Sequence, residues 1–546
     1  MNNFSAANRP NRQQLLIDEI YDLFIIGGGI TGAGIALDAA TRGLKVALAE
    51  MQDFAQGTSS RSTKLVHGGL RYLKQLEFKE VAQLGRERAI VYENGPHVTT
   101  PVWMLLPFFK GGTFGPLTTS VGLKIYDILA GVKKGERRFM LSADETITRE
   151  PLIKKDGLLG GGLYVEYRTD DARLTIEVLK AAVSNGAIAL NYLKVIAIET
   201  QNLSFTILVV EDQLTGEQYE VRAKKVVNAA GPWVDEVRKM EDTHVENHMI
   251  LSKGVHIVFD SADFPLQQAI YFDTEDGRMV FAIPRAGKTY VGTTDDFYGG
   301  DPLQLTIHEE EANYLLRAIK VMFPTIQLTK EKIESSWAGV RPLIVEEGKG
   351  PSEISRKDEI WQSETGIITI AGGKLTGYRK MAEKIVDLVV KQLNDETNKQ
   401  FGQSITKGYP ISGGDLSGAK FFERFVKKRT ITGQQLGLTV EQSRYLAEFY
   451  GTNVDKVFHY VAEARRDLPP IVYAQLYYAM EEESTCTASD FFVRRTGALF
   501  FNIHYVKQFQ EMVLDEMANY LGWTVEQKNR NRARLEQDIE IASHFR

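Results

Sequence analysis

An apolar run that breaks into a glycine loop constrains this chain more than any other stretch. It is YDLFIIGGGITGAG at 21–34, followed by a second apolar run, KVALAE, that ends on Glu50. An apolar strand, glycines at 27, 29 and 32, and then helix-forming residues allow a tight turn, close backbone approach to a pyrophosphate, and close packing of helix on strand. A helix N-terminus at this point would favour the pyrophosphate's negative charge. Gly27, Gly29, Ile30, Thr31 and Gly32 are therefore the expected cradle, and Glu50 the expected ribose-binding carboxylate. An acid in that place argues against a 2′-phosphate. FAD and NAD both remain open on these residues.

The 546 residues give room for two or three domains and a large core. A net charge of −6 gives no reason to expect nucleic acid as a partner. The single cysteine, Cys486, excludes an internal disulfide and any Cys-based zinc or iron–sulfur site, and no metal is expected. Residues 1–20 are polar, include Arg9 and Arg12, and have no run of signal-peptide length, so they read as an N-terminal tail. No apolar stretch reaches the roughly 18 residues of a membrane span; the nearest, 23–37, is the glycine loop itself.

The pattern predicts an α/β protein with a split, Rossmann-like dinucleotide domain, an antiparallel-sheet substrate domain and an all-helical C-terminal domain. The dinucleotide domain is expected at 21–75, 158–235 and 365–400, the substrate domain at 76–157 and 236–364, and the helical domain at 401–546. Residues 76–150 read as helical and irregular material. A helix at 173–185, strands at 194–200 and 205–212, and the buried run KKVVNAAGPW at 224–233 return to the first layer. The Ala-Gly-Pro at its end again permits close backbone approach, which marks Gly231. VHIVFD, QAIYFD, RMVFAIPR and TYVGTTDD, separated by turn signals, read as an antiparallel sheet. Capping patterns starting at Thr439, Thr452 and Thr524 open helices further on.

One segment stands out for its polarity. GTSSRSTKLVHGGLRY at 57–72 packs hydroxyls (Thr58, Ser59, Ser60, Ser62, Thr63), cations (Arg61, Lys64) and a Gly-Gly pair into a span with few core-forming residues. Such a segment is suited to hydrogen-bonding a diphosphate or a flavin ring edge; the alternative is a solvated loop. Thr58, Ser59, Ser60, Ser62, Lys64, His67, Gly68 and Gly69 are its candidate cofactor contacts.

Taken together, YDLFIIGGGITGAGIALDAATRG, TSSRSTKLVHGGLRYL, VVNAAGPW, SKGVHIV, WAGVRPL and GGKLTGYRKMAE resemble the FAD-dependent glycerol-3-phosphate dehydrogenases. The resemblance runs from about residue 20 to the end, and its HGGLRYL and GGKLT-YRK segments are the specific ones. It implies FAD, not covalently bound, and sn-glycerol 3-phosphate as substrate. The C2 alcohol would be oxidised to dihydroxyacetone phosphate, a hydride would pass to the flavin, and electrons would leave to a membrane quinone. It also adds Val195, Gly231, Gly373, Leu375 and Thr376 to the cofactor contacts. A glycerol-3-phosphate oxidase using oxygen and making peroxide is the nearest alternative, but it typically carries an inserted segment not evident here. An amino-acid oxidase would lack the two specific segments.

Residue chemistry agrees with that resemblance. A phosphomonoester needs fixed cations, and the guanidinium fork suits phosphate oxygens. Arg341, between Val340 and Pro342, and Arg356, in ISRKD, match the family's substrate arginines; a structural salt bridge and a solvated charge are the respective alternatives. His256 matches the family's base. Val255, Ile257 and Phe259 would share the opposite strand face, leaving His256 to face a cleft and accept a proton near neutral pH. Lys374 stands at the start of a helix, where a cation opposes the dipole and points to a bound anion. Tyr72 and Arg71 are expected in the same cleft.

Membrane attachment is carried by two stretches. AKFFERFVKKR at 419–429 joins aromatics to basic residues, as interfacial helices do, although its phenylalanines also suit a domain core; PVWMLLPFF is the other. The expected location is cytoplasmic, peripheral on the inner face of the cell membrane. A homodimer is left open.

Overall fold

The computed structural model of the protein describes residues 4–66, 78–112, 115, 119–120, 122–125, 134–199, 204–244, 246, 248–345, 358–397, 399–465 and 468–546. Strand Ile20–Ile26 is buried at all but its first residue, so it can only be internal. It pairs in parallel with Val46–Ala49 on one side and Gln218–Asn228 on the other. Among the described residues this sheet has eight strands. Its path runs Asp358–Gln362, Ile368–Gly372, Gln218–Asn228, Ile20–Ile26, Val46–Ala49, Ile188–Leu190, and the hairpin Leu193–Glu199 with Thr206–Asp212 branches from Gln218–Asn228. Alternate residues then serve two cores. Leu23, Ile25, Val46 and Leu48 meet the helices Ile30–Thr41, Asp171–Ser184 and Tyr378–Glu396. Phe24, Ile26, Ala47 and Ala49 meet the hairpin's Val195, Leu208 and Val210.

The second sheet has ten strands among the described residues. Its path runs Asp296–Tyr298, Met249–Asp260, Lys288–Gly292, Met279–Arg285, Ala269–Asp273, Thr99–Phe109, Leu158–Thr169, Leu65–Val66. Ile333–Ile344 lies beside Met249–Asp260, and Phe139–Leu141 beside Leu158–Thr169. Both the layers and the split are as the sequence pattern predicts, but three boundaries move. Leu158–Thr169 and Leu65–Val66, expected in the dinucleotide layer, pair with each other in the substrate sheet. Asp358–Gln362, expected in the substrate domain, closes the edge of the first sheet against Ile368–Gly372. For Leu65–Val66 and Leu158–Thr169 the deciding partners are distant in sequence, whereas Asp358–Gln362 follows the strand just after it into the first sheet as a local hairpin.

Other expectations change for similar reasons. The supposed tail holds a helix, Arg9–Asp18, whose Arg9 pairs with Asp212 at 2.9 Å and whose Arg12 donates to the Ala189 carbonyl at 2.9 Å. PVWMLLPFF lies within the Thr99–Phe109 strand, inside the sheet between Leu158–Thr169 and Ala269–Asp273, and its second half is buried; it is not a surface helix. The caps at Thr439 and Thr524 form with Gln442 and Gln527. At 452 the helix instead begins after Asn453, whose side chain donates to Glu177 and Ser412. The C-terminal helices are not set apart: Leu476, Phe491, Phe501, Leu514 and Leu535 share one core with Met104, Tyr164, Tyr290 and Trp337 of the substrate sheet.

Candidate active site

A cleft of about 580 Å³ runs between the two sheets, and both ends of the sequence pattern meet in it. At one end the glycine loop closes tightly. A Cβ on Gly32 would lie 1.9 Å from the Gly27 carbonyl oxygen, and one on Gly27 would lie 2.6 Å from that of Ala229. Gly32 is thus a packing residue behind the loop, while Gly27, Gly29, Ile30 and Thr31 line the cleft. The helix has no side-chain cap of its own; the Ile30 N–H donates to Ser59 Oγ at 3.0 Å. Glu50 lines the cleft as expected, its carboxylate accepting from the N–H groups of Gly28 at 2.7 Å and Gln52 at 2.9 Å. Burial raises its pKa to about 7, against the lowering effect of those two bonds. Val195, Gly231, Gly373, Lys374, Leu375 and Thr376 line the same cleft. Lys374 caps a 3-10 turn, Leu375–Gly377, that runs into Tyr378–Glu396, so the long helix starts four residues after it.

The polar segment divides in two. Thr58, Ser59, Ser62 and Thr63 line the cleft, although the Thr58 hydroxyl donates to the Val340 carbonyl. Ser60 and Lys64, expected as ligand contacts, are buried and do not reach it. Lys64 Nζ binds Asp171 at 2.6 Å and the Ser60 carbonyl at 3.0 Å. Asp171 also accepts from the Ser62 N–H and hydroxyl, at 3.0 and 2.7 Å. A buried lysine needs a paired carboxylate, and Asp171 is far along the chain, so the sequence segment alone read as ligand-facing. His67, Gly68, Gly69, Arg71, Tyr72 and Arg356 lie outside the described residues.

At the other end, Arg341 opens into the cleft from Ile333–Ile344. Its Nη2 donates to Thr293 Oγ1 at 3.1 Å and its Nη1 lies 3.4 Å from Asp295 Oδ1. Gly254 makes the room, since a Cβ there would lie 2.5 Å from Arg341 Nη2. His256 is on the strand face opposite Val255, Ile257 and Phe259, as alternation predicts, but that face is covered. The imidazole has no exposed surface and stacks on Trp337, with centroids 4.7 Å apart and 9° between planes. Its Nε2 is 3.1 Å from the hydroxyl of Thr63, which does line the cleft. Burial first, then the charges of Arg341 and Lys64, hold its pKa well below the usual histidine value, so the ring is neutral.

Several residues went unread in the sequence. Asp171, Thr293 and Asp295 position the residues named above. Asp53, buried just after Glu50, accepts from Arg494, from Arg495 at 2.7 and 2.9 Å, and from Asn191 at 2.9 Å. Trp233, the last residue of VVNAAGPW, lines the cleft. Its place after a strand-ending Gly-Pro was the only signal.

A helix N-terminus, a loop that only glycines allow, and a carboxylate beside them suit an adenine dinucleotide. The class is accordingly that of FAD-dependent oxidoreductases. A family model described as FAD dependent oxidoreductase matches residues 22–379, and one described as the C-terminal domain of alpha-glycerophosphate oxidase matches 404–528. The aerobic glycerol-3-phosphate dehydrogenase of Bacillus subtilis is 58% identical, over 99% of this chain and 98% of its own. That of Staphylococcus haemolyticus is 57% identical with the same coverage. A crystal structure of the glycerol-3-phosphate dehydrogenase from Bacillus halodurans, complexed with FAD, superposes with a TM-score of 0.86 at 47% identity, covering 99% of each chain. The L-alpha-glycerophosphate oxidase of Mycoplasma pneumoniae, with FAD bound, shares the fold at a TM-score of 0.57 and 20% identity, covering 72% of this chain and 99% of its own. The chain belongs to the FAD-dependent glycerol-3-phosphate dehydrogenase family.

Proposed function

We propose that the protein oxidises sn-glycerol 3-phosphate at C2 to dihydroxyacetone phosphate and passes the electrons to a membrane quinone. The observation that carries this is Arg341, opening into the cleft at the end of the antiparallel sheet while the dinucleotide cradle forms the other end. Arg341 and Arg356 bind the phosphate, as guanidinium forks do. Lys374 adds positive charge near the reacting end, and His256 receives the C2 hydroxyl proton. The loop at 27–32, Glu50 and the hydroxyl residues Thr58, Ser59 and Ser62 hold FAD without a covalent bond. When bound, FAD supplies the hydride acceptor. Arg341 is already oriented by Thr293 and Asp295, so less side-chain freedom is lost on binding substrate.

We also assign the protein a peripheral seat on the inner face of the membrane. The support is on the C-terminal helices. Phe421 is 40% and Ile431 59% exposed, amid exposed Lys420, Arg424, Lys427 and Lys428, whereas Phe422 and Phe425 pack against the core around Val426. No helix among the described residues is long and apolar enough to cross a membrane. Co-sedimentation with anionic vesicles that weakens as salt rises is the expected result.

The acceptor is tested by supplying glycerol 3-phosphate with a soluble quinone under nitrogen, and separately with air alone. Fast quinone reduction with little peroxide is expected. Peroxide formed stoichiometrically and fast in air would instead favour the oxidase.

A further inference from the structure

We propose that Thr63 is a catalytic residue: its hydroxyl relays the proton of the substrate alcohol from the cleft to His256. The proposal rests on glycerol 3-phosphate being the substrate of this cleft. His256 cannot meet a substrate directly, because it has no exposed surface, whereas Thr63 lines the cleft and stands 3.1 Å from the imidazole Nε2. A hydroxyl can accept one proton while donating another, which suits it to stand between the two.

Both partners are held in place. On one side the imidazole stacks on Trp337; on the other it packs against Gly292, where a Cβ would come within 2.2 Å of the ring. Trp337 and Tyr290 hold the backbone of this segment. Trp337 Nε1 donates to the Ser62 carbonyl at 3.2 Å, and the Tyr290 hydroxyl donates to the Thr63 carbonyl at 3.1 Å. Ser62 and Lys64, the residues on either side, are both bound by Asp171. Five contacts thus fix residues 62–64, and the Thr63 hydroxyl at their centre touches the buried histidine. A segment serving only to bind diphosphate would not need a threonine hydroxyl within reach of a buried base.

The hydride leaves C2 with its electron pair for FAD while the C2 hydroxyl O–H bond breaks. That proton goes to Thr63 Oγ1, the proton Thr63 held goes to His256 Nε2, and C2=O forms. The imidazole starts as the neutral tautomer protonated on Nδ1 and ends as imidazolium.

The test compares Thr63→Val and Thr63→Ser with wild type, each FAD-loaded, in anaerobic stopped flow with glycerol 3-phosphate. Thr63→Val is expected to slow flavin bleaching about 100-fold, with unchanged FAD content and an unchanged dissociation constant for dihydroxyacetone phosphate. Thr63→Ser should recover to within about fivefold of wild type, the hydroxyl being what the relay uses. In mixtures of H₂O and D₂O, wild type should give a curved proton inventory, from two protons in flight, and Thr63→Val should not. A purely structural threonine would not produce the curvature. Bleaching of Thr63→Val at the wild-type rate, or a linear wild-type inventory, would overturn the relay alone. Wild type that does not bleach would overturn the substrate reading and the relay with it.

Discussion

The two ends of the cleft are built by opposite means. At the proposed cofactor end, the central groups come from about 25 consecutive residues, Gly27 to Glu50, and much of the chemistry is main-chain: a helix N-terminus and a loop closed by glycines. At the proposed substrate end, Thr63, His256 and Arg341 come from far-separated parts of the chain, and each would act through a side chain positioned by others. Their supports differ too. The cofactor end is braced by a buried ionic cluster on Asp53, supplied by the C-terminal Arg494 and Arg495. The substrate end is braced by stacked rings and close backbone contact at Gly254 and Gly292. Main-chain recognition tolerates changes in side chains but not in spacing; side-chain recognition depends on every support being present.

Variants at the two ends should therefore fail differently. The largest effect is expected from His256→Gln. Losing the proton acceptor should slow anaerobic flavin bleaching by about 10²–10⁴-fold, while the visible spectrum shows FAD still bound. Near-normal bleaching would remove His256 from the mechanism. Next is Arg495→Met, which leaves the Asp53 carboxylate buried with fewer partners. It should cost about 3–5 kcal/mol in urea unfolding and weaken FAD retention, since Asp53 sits three residues beyond Glu50. A variant with normal stability would mean that the cluster does not brace this end.

Arg341→Ala should act on binding. KM for glycerol 3-phosphate is expected to rise roughly 10- to 100-fold, the loss of charged hydrogen bonds, with a smaller change in kcat; unchanged kinetics would take Arg341 out of the site. The smallest effect concerns pH. Burial raises the Glu50 pKa to about 7. That favours the protonated carboxyl, so its contribution to the stability of the FAD-free protein is present at low pH and lost as pH rises through about 7. Ribose hydroxyls donate to the ionised form, so FAD binding favours the carboxylate and weakens on acidification. The FAD dissociation constant is expected to rise about tenfold between pH 8 and pH 6, and Glu50→Gln should flatten that dependence. A pH-independent affinity in wild type would remove Glu50 as the titrating contact.

The same contrast explains what the sequence made legible. The spacing of glycines 27, 29 and 32 and the acid at 50 encode a local backbone geometry, which puts Gly27, Gly29 and Glu50 in the cleft and Gly32 behind the loop. Alternation in VHIVF placed Val255, Ile257 and Phe259 in a core and His256 on the other face correctly. Period-two reasoning identifies a face but not what lies over it, so the covering by Trp337 and the Thr63 segment was invisible. Lys64 was misread because its partner Asp171 is 107 residues away. The Arg9–Asp18 helix read as a tail because Arg9's partner, Asp212, is 203 residues distant. Charged residues whose partners are remote look solvated or ligand-bound in a sequence, and only the fold distinguishes those cases.

The proposed reaction is removal of a hydride from C2 of glycerol 3-phosphate in this cleft. It is tested most directly by mixing the FAD-loaded protein anaerobically with glycerol 3-phosphate carrying hydrogen or deuterium at C2 and following the flavin absorbance in a single turnover. The expected result is rapid bleaching, slowed severalfold by deuterium. A flavin that dithionite reduces but glycerol 3-phosphate does not would contradict it.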